Sequence, residues 1–351
     1  MPLRAVLSAL LTIGFAALCT HAGGAAAAQA FKVVTASERG TYIQIGRDIA
    51  KFIAPAADIE LEVLPSAGSA ENVQRLREEP GVKLAFVQSD VYQAFLDQAA
   101  AGNANAQSMI APIRVILPLY NEEIYFIVRS DSPLEQVHEI KDARINVGPL
   151  RSGTALSATT VYRQMFGSAI SDANASFLSN EDALVKLTTD KSVDVVVIVA
   201  GQPAKLLADM KPEARQLIKL LKFDAAHPAG VAALKTYFTA TVRAASYPNL
   251  LAEDVPSLAV KAFLVTYDFR LPPTVASLTR FARSLCQNFA TLQAQGHPKW
   301  REVDLALPDL KRGWSYFAPM ARELRSCAAA APKAKPASSC TQNERVLGLC
   351  G

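Results

Sequence analysis

From residue 32 onward, apolar positions recur in an order that alternates between two periods. Lys32-Val33-Val34-Thr35 reads as a short strand, and Tyr42, Ile45, Ile49 and Phe52 then fall at helical spacing between Thr41 and Ile53. The unit repeats. Residues 59–64 are strand-like, Ser66-Ala67-Gly68-Ser69 is a small polar loop, and Glu71 opens a helix running to Arg77. Residues 84–88 form another strand, with Ser89 or Asp90 placed to cap the helix after it. A longer β segment over 120–129 interrupts the alternation. It resumes with a strand at 143–147, a loop to Thr154 and a helix to Phe166. Further on, 181–187 fits a helix, 193–200 a strand buried on both faces, and 205–210 a helix. Residues 234–243 and 256–266 look like β returns, and beyond Leu271 the pattern is helical to about Arg325. Strands alternating with helices imply βαβ units and a mainly parallel sheet.

The first thirty residues differ from all this. Arg4 precedes an apolar run from Ala5 to Leu18, and small residues follow, ending in Ala28-Gln29-Ala30, an A-x-A type cleavage site. Residues 1–30 therefore read as a secretory signal peptide, with the mature chain beginning near Phe31 in the periplasm. The apolar run is too short for a spanning helix, which needs roughly 20 residues. Cys19 follows Leu18, where lipid attachment wants a small residue. The remaining stretch of about 320 residues exceeds what one core usually organises and favours two lobes.

Losing Arg4 leaves 35 cations against 32 acids, a net charge of +3, and no basic stripe interleaved with aromatics appears. Nucleic acid is thereby disfavoured as a partner. Four cysteines remain: Cys286, Cys327, Cys340 and Cys350. An even number in an exported chain suggests disulfides, with three pairings open. Cys286 with Cys327 and Cys340 with Cys350 would staple a terminal helix and close a small loop. No C-x-x-C spacing occurs, and His138, His227 and His297 are widely separated and outside any catalytic motif. No G-x-S-x-G elbow or phosphate-binding loop is present. These absences argue against an enzyme and against a metal or other cofactor. Trp300 and Trp314 read as packing of the terminal helices or a docking surface.

The candidate chemistry lies in loops between strand ends and helix starts, where open α/β sheets bind ligands because unpaired N–H groups and the helix dipole point into the crevice. Three loops have the small residues that allow close approach: Gly40-Thr41-Tyr42, Ser66 to Ser69 with Asn72, and Ser152-Gly153-Thr154. Each alone is an ordinary cap. The first two belong to one lobe and the third to the other, so a ligand touching all three would sit between lobes.

The order of these motifs resembles the TAXI solute-binding proteins, the periplasmic components of one class of TRAP transporters, over about residues 32–270. The family's G-T-Y-Y-x-x-G element stands here as Gly40-Thr41-Tyr42-Ile43-Gln44-Ile45-Gly46, and its S-x-G-S-x-E-N element as Ser66-Ala67-Gly68-Ser69-Ala70-Glu71-Asn72. Gln88-Ser89-Asp90, Leu119-Tyr120, Val128-Arg129, Gly148 to Thr154 and Gly201-Gln202-Pro203 follow in the expected order. The resemblance implies a monomeric, two-lobed receptor of the periplasmic-binding-protein fold, each lobe a mostly parallel sheet flanked by helices. It would close on an organic acid or amino acid, such as a dicarboxylate or glutamate, and dock on a TRAP permease. A periplasmic enzyme on the same scaffold and a ligand sensor for a membrane kinase stay open as alternatives. Lobe 1 is expected at 31–119 with 238–327, lobe 2 at 120–237 and a flexible tail at 328–351. The chain departs from the family at Ser37-Glu38-Arg39 and at Arg151. Arg39 and Arg151 facing each other across the cleft would suit an anion, since guanidinium pairs with carboxylate through a planar fork; as rim charges they would only face water. Tyr42 and Tyr120 are candidate walls over an apolar ligand part, Gln88 and Gln202 candidate polar contacts, and Asp90 a candidate partner for a ligand amine.

Overall fold

The computed structural model describes residues 28–310 and 313–330. Most of the expected signal peptide, most of the tail, Cys340 and Cys350 lie outside the described residues.

The first lobe opens with β1 (Gln29–Val34), α1 (Thr41–Phe52), β2 (Ile59–Leu64), α2 (Ser69–Glu78) and β3 (Val82–Gln88). Helices α3 (Val91–Ala100) and α4 (Ala104–Ile110) lead into β4 (Ile113–Arg129), which carries the chain into the second lobe. That lobe holds β5 (Ile145–Asn146), α5 (Gly153–Phe166), β6 (Ala175–Ser176), α6 (Asn180–Thr188), β7 (Val195–Ala200), α7 (Lys205–Ala208), β8 (Ile218–Leu220) and α8 (Pro228–Ala233); β9 (Phe238–Val242), where the return to the first lobe is expected to begin, still packs Val242 with Tyr125 and Tyr247 of the second. Strand β10 (Val255–Tyr267) returns to the first lobe, which α9 (Pro272–Gln295) and α10 (Ala318–Ala330) complete. Among the described residues no helix is long and apolar enough to cross a membrane.

The strands join in the order β2-β1-β3-β10-β4-β7-β5-β6, with β8 against β4 and β9 against β10. The outer strands of each lobe are parallel, as βαβ crossovers require, while β10 and β4 run antiparallel to each other and to β3 and β7. This long central pair belongs to both lobes. Its register slips where Lys261 faces Asn121 but Phe263 faces Pro118, so that β4 carries one residue more than its partner. Such a bulge bends a strand, and it lies at the crossing between lobes.

Each lobe buries apolar side chains on both sheet faces. In the first, Tyr42, Ile45, Ile49 and Phe281 pack on one face and Val73, Val87, Val91 and Phe263 on the other. In the second, Phe126, Val161, Val195 and Tyr237 oppose Tyr125, Leu187, Val196 and Tyr247. The result is an α/β fold of two lobes, each a sheet flanked by helices.

Strand β1 starts at Gln29, whose N–H donates to Asp58 O, within the Ala28-Gln29-Ala30 segment. Two expectations need correction. Helix does not run unbroken from 271 to 325: Gly296, Pro298, Pro308 and Gly313 interrupt it, and among the described residues between α9 and α10 the one helical stretch is a short 3-10 turn at Pro298–Glu302. The β return expected over 234–243 begins at Phe238, because Pro228 starts a short helix that reaches Ala233. Cys286 and Cys327 form a disulfide that ties α9 to α10, and Trp300 and Trp314 are both buried.

Candidate functional site

A cavity of about 170 Å³ lies between the lobes. Its wall is built from helix beginnings: Gly40-Thr41-Tyr42 of α1, Gly68 and Ser69 of α2, Ser152-Gly153-Thr154 of α5, Asn180 and Glu181 of α6, and Lys205 of α7. These beginnings differ in how they are finished, and α7, which starts after Ala204, has no side-chain cap. Ser152 Oγ accepts from Ala155 N and Ser179 Oγ from Asp182 N, so α5 and α6 cap themselves. Helices α1 and α2 start at Gly40 and Gly68 without a side-chain cap, which leaves first-turn N–H groups available to a ligand carboxylate.

Glycine allows the close approach. A Cβ on Gly153 would sit 1.9 Å from Gln88 Oε1, and one on Gly68, whose φ is +129°, would sit 2.9 Å from Gly153 N. Hydrogen bonds also cross the interface: Glu71 N donates to Arg151 O at 3.3 Å, Thr41 Oγ1 to Gly201 O at 3.4 Å and Ser157 Oγ to Asp90 Oδ2 at 2.6 Å. The lobes are closed on each other.

Of the sixteen residues expected to contact a ligand, Arg39, Gly40, Thr41, Tyr42, Gly68, Ser69, Gln88, Ser152, Gly153 and Thr154 line this cavity. The other six do not. Ser66 and Asn72 bond to each other, to Thr35 O and, from Asn72, to Phe86 O, fixing the loop rather than meeting solute. Asp90 makes no side-chain cap; buried between lobes, it accepts from Ser157 and from Tyr237 Oη at 2.9 Å. Tyr120 is core, with Lys299 Nζ 5.6 Å from its ring centroid. Gln202 donates to Glu123 and to Thr241 O. Arg151 holds a left-handed backbone, φ +66°, and its guanidinium reaches Gln74 on a different groove. Arg39 sits at the rim with its side chain 68% exposed, 3.4 Å from Glu181 across the cleft. The two arginines therefore do not oppose each other over the cavity.

Sequence reasoning missed Glu122. It is buried in the cavity wall, and Tyr42 Oη donates to its Oε2 at 2.5 Å. Burial pushes its carboxyl up to about 8; the charges of Glu123 and Asp90 add to that, against the Tyr42 hydrogen bond and Lys299. Burial beside Glu122 likewise raises Tyr42 well above the usual phenol range. The available signal was Glu122-Glu123 interrupting an otherwise apolar strand. Ser179-Asn180-Glu181 was also missed, although its cap residue and acidic first turn follow the rule that exposed the other loops. Among the described residues no cluster of His, Cys, Asp or Glu could hold a metal ion.

Residues 33–306 match the model of the NMT1-like family. Similar solved structures include the periplasmic binding protein BugD, 12% identical, covering 86% of this chain and 94% of that one at a TM-score of 0.48. Another is XAC2383 from Xanthomonas citri, solved with chloride, at 12% identity, 86% and 96% coverage and a TM-score of 0.46. A third is the Candida albicans CA3427 gene product, at 14% identity, 87% and 92% coverage and a TM-score of 0.46.

Proposed function

The chain belongs to the NMT1-like family, and from that premise we propose that it is a solute receptor of the periplasm. It captures a small organic acid or amino acid and delivers it to a TRAP-type membrane permease. The observation that carries this reading is the cavity closed between two lobes, with helix starts that lack a side-chain cap and glycine-lined loops on both sides. A cavity of about 170 Å³ is below the 300–1,000 Å³ usual for drug-sized ligands, which suits a metabolite of few heavy atoms. The order of the Gly40-Thr41-Tyr42, Ser66 to Asn72 and Gly148 to Thr154 elements supports the TAXI class.

The mechanism follows from two states. Open and closed arrangements differ by a few kcal/mol, and a solute shifts the balance only through contacts it makes better in the closed form. Thr41 and Ser69 on one lobe and Gly153 and Thr154 on the other supply such contacts together only when the lobes meet. Native mass spectrometry of protein purified without denaturation tests the reading. A co-purified small molecule released unchanged on unfolding supports a receptor, whereas conversion of that molecule on incubation would make the protein an enzyme. Docking to the permease should require the ligand, and equal docking with and without it would remove the permease from the proposal.

A further inference from the structure

Among the described residues the cavity wall holds a buried carboxyl, whereas its two cations, Arg39 and Lys205, are exposed and paired elsewhere. Arg39 is at the rim and paired with Glu181, and Lys205 turns to Asp209 at 2.7 Å with both side chains mostly exposed. Glu122 faces inward, 4% exposed, and the hydrogen bond from Tyr42 is the one its carboxyl receives among the described residues. The charged groups around it are mainly negative. Glu123 follows it on β4, Asp90 comes from the end of β3, and the cation that acts on it, Lys299, is already 3.4 Å from Glu123 and 2.9 Å from Glu302; Lys261, opposite Asn121 on β10, interacts with Glu123, Glu302 and Lys299. Tyr42 and Tyr120 add hydroxyls and no charge. A second acceptor, Asn180 Oδ1, is buried in the same wall without a hydrogen-bond partner among the described residues.

We propose that Glu122, with Asn180, receives the ammonium group of an amino acid whose carboxylate lies at the starts of α1 and α2. The ligand class is therefore an amino acid, and dicarboxylates without an ammonium group are disfavoured. This rests on the receptor reading and narrows its substrate. The physical reason is charge balance: a carboxylate placed at this wall would meet Glu122 directly, with Glu123 and Asp90 adding negative charge behind it in a low-dielectric site, whereas an ammonium supplies the missing positive charge. In the empty cleft a proton fills that role, as the upward displacement of Glu122 to about 8 reflects. Binding the ammonium expels this proton, so affinity is linked to pH.

Calorimetric titration of the full mature protein with the common amino acids and their matching 2-oxo acids at pH 6, 7 and 8 tests the assignment. At least one amino acid is expected to bind more than tenfold tighter than its own 2-oxo acid. Its affinity should rise toward pH 8 by up to about tenfold per unit, with release of up to one proton. Glu122→Gln should abolish both the preference and the pH dependence. If that variant fails to fold, the sign of the wild-type pH dependence decides alone. Tighter binding of a 2-oxo acid or of a dicarboxylate without an amino group, with affinity rising as pH falls, overturns the assignment and makes Glu122 a neutral hydrogen-bond donor, leaving the receptor reading intact. No binding from either set, with another molecule co-purifying, overturns the assignment alone. No bound molecule of any kind and no ligand-dependent closure would remove the receptor reading as well.

Discussion

Glu122 and Glu123 are consecutive on one strand and equally buried, at 4% exposed, yet they belong to two regions with opposite logic. Glu123 faces the hinge. It lies 3.4 Å from Lys299 Nζ, itself fully buried, and accepts from Gln202 N at 2.9 Å and Gln202 Nε2 at 3.1 Å. One carboxylate thus joins the terminal segment of the first lobe to the loop after β7 in the second. Glu122 faces the cleft and is left with one phenol. Burying a charge is costly unless it is paired and hydrogen-bonded. The hinge satisfies that requirement within the protein, while the cleft leaves it open at the place where the lobes close. The contrast separates a carboxylate that fixes the fold from one reserved for a partner arriving later.

The largest expected effect comes from breaking the hinge pair. Lys299→Met leaves Glu123 buried without its counter-ion and should lower unfolding free energy by about 3–5 kcal/mol. Adding Glu123→Gln to that variant should restore a large part of the loss, because no charge is then stranded. Denaturant titration of the two variants and the double mutant measures this. A loss under about 1 kcal/mol for Lys299→Met would erase the distinction between the two carboxylates.

Glu122→Gln should act in the opposite direction on the ligand-free protein. The folded state raises this carboxyl from the ordinary 4.5 to about 8, so between these values it retains a proton that the unfolded chain has lost. The contribution of Glu122 to stability is complete below about pH 4.5 and declines as pH rises to about 8, at up to about 1.4 kcal/mol per unit. The glutamine variant lacks this slope and should be more stable than wild type at pH 8, by about 2 kcal/mol or more, with the two converging near pH 5. Thermal melts across that range read the difference. Equal melting temperatures throughout would mean that Glu122 is solvated and not confined.

How much of this was legible in the sequence divides along the same line. The loops at Gly40, Gly68 and Gly153 stood out because a glycine between an apolar run and a helical period has few other uses, and backbone chemistry is local. The glutamate pair is not local. Glu122 is buried by Tyr42, eighty residues away, and Glu123 by Lys299, 176 residues away, so their environments exist only after the lobes assemble. Arg151 shows the converse: its guanidinium suggested an anion site, but a left-handed backbone directs the side chain to Gln74 on the first lobe. Asp90 fitted the pattern of a helix cap, and the bonds from Ser157 and Tyr237 engage it instead. Main-chain placement could be read from the pattern, and side-chain direction could not.

A smaller effect is expected where the lobes touch without charge. Gly153→Ala places a methyl 1.9 Å from Gln88 Oε1 in the closed form, and relieving it requires the lobes or Gln88 to shift, at a cost of about 1–3 kcal/mol. Since closure and binding are linked, affinity should fall by roughly 5- to 150-fold. Stability of the unliganded protein should change little, because alanine favours the first turn of α5. Small-angle scattering with and without ligand would show incomplete closure. Unchanged affinity would mean that ligand binds without the lobes meeting.

The smallest effect is expected at the rim. Arg39 pairs with Glu181 across the cleft, but both side chains are substantially exposed, at 68% and 46%. An ion pair of this kind contributes about 0–1 kcal/mol and is screened by salt. Arg39→Ala should therefore weaken ligand affinity by no more than about fivefold, and the deficit should vanish at 0.5 M salt, where the Debye length falls well below that at physiological ionic strength. Arg151→Ala, whose guanidinium turns away from the cavity toward Gln74, should leave affinity within about twofold. Titration of both variants at low and high salt separates the rim from the interior. A loss above tenfold that persists in high salt for Arg39→Ala would place a cation against the bound solute, and the contrast between a self-satisfied hinge and an acidic, cation-seeking cleft would have to be redrawn around an anion.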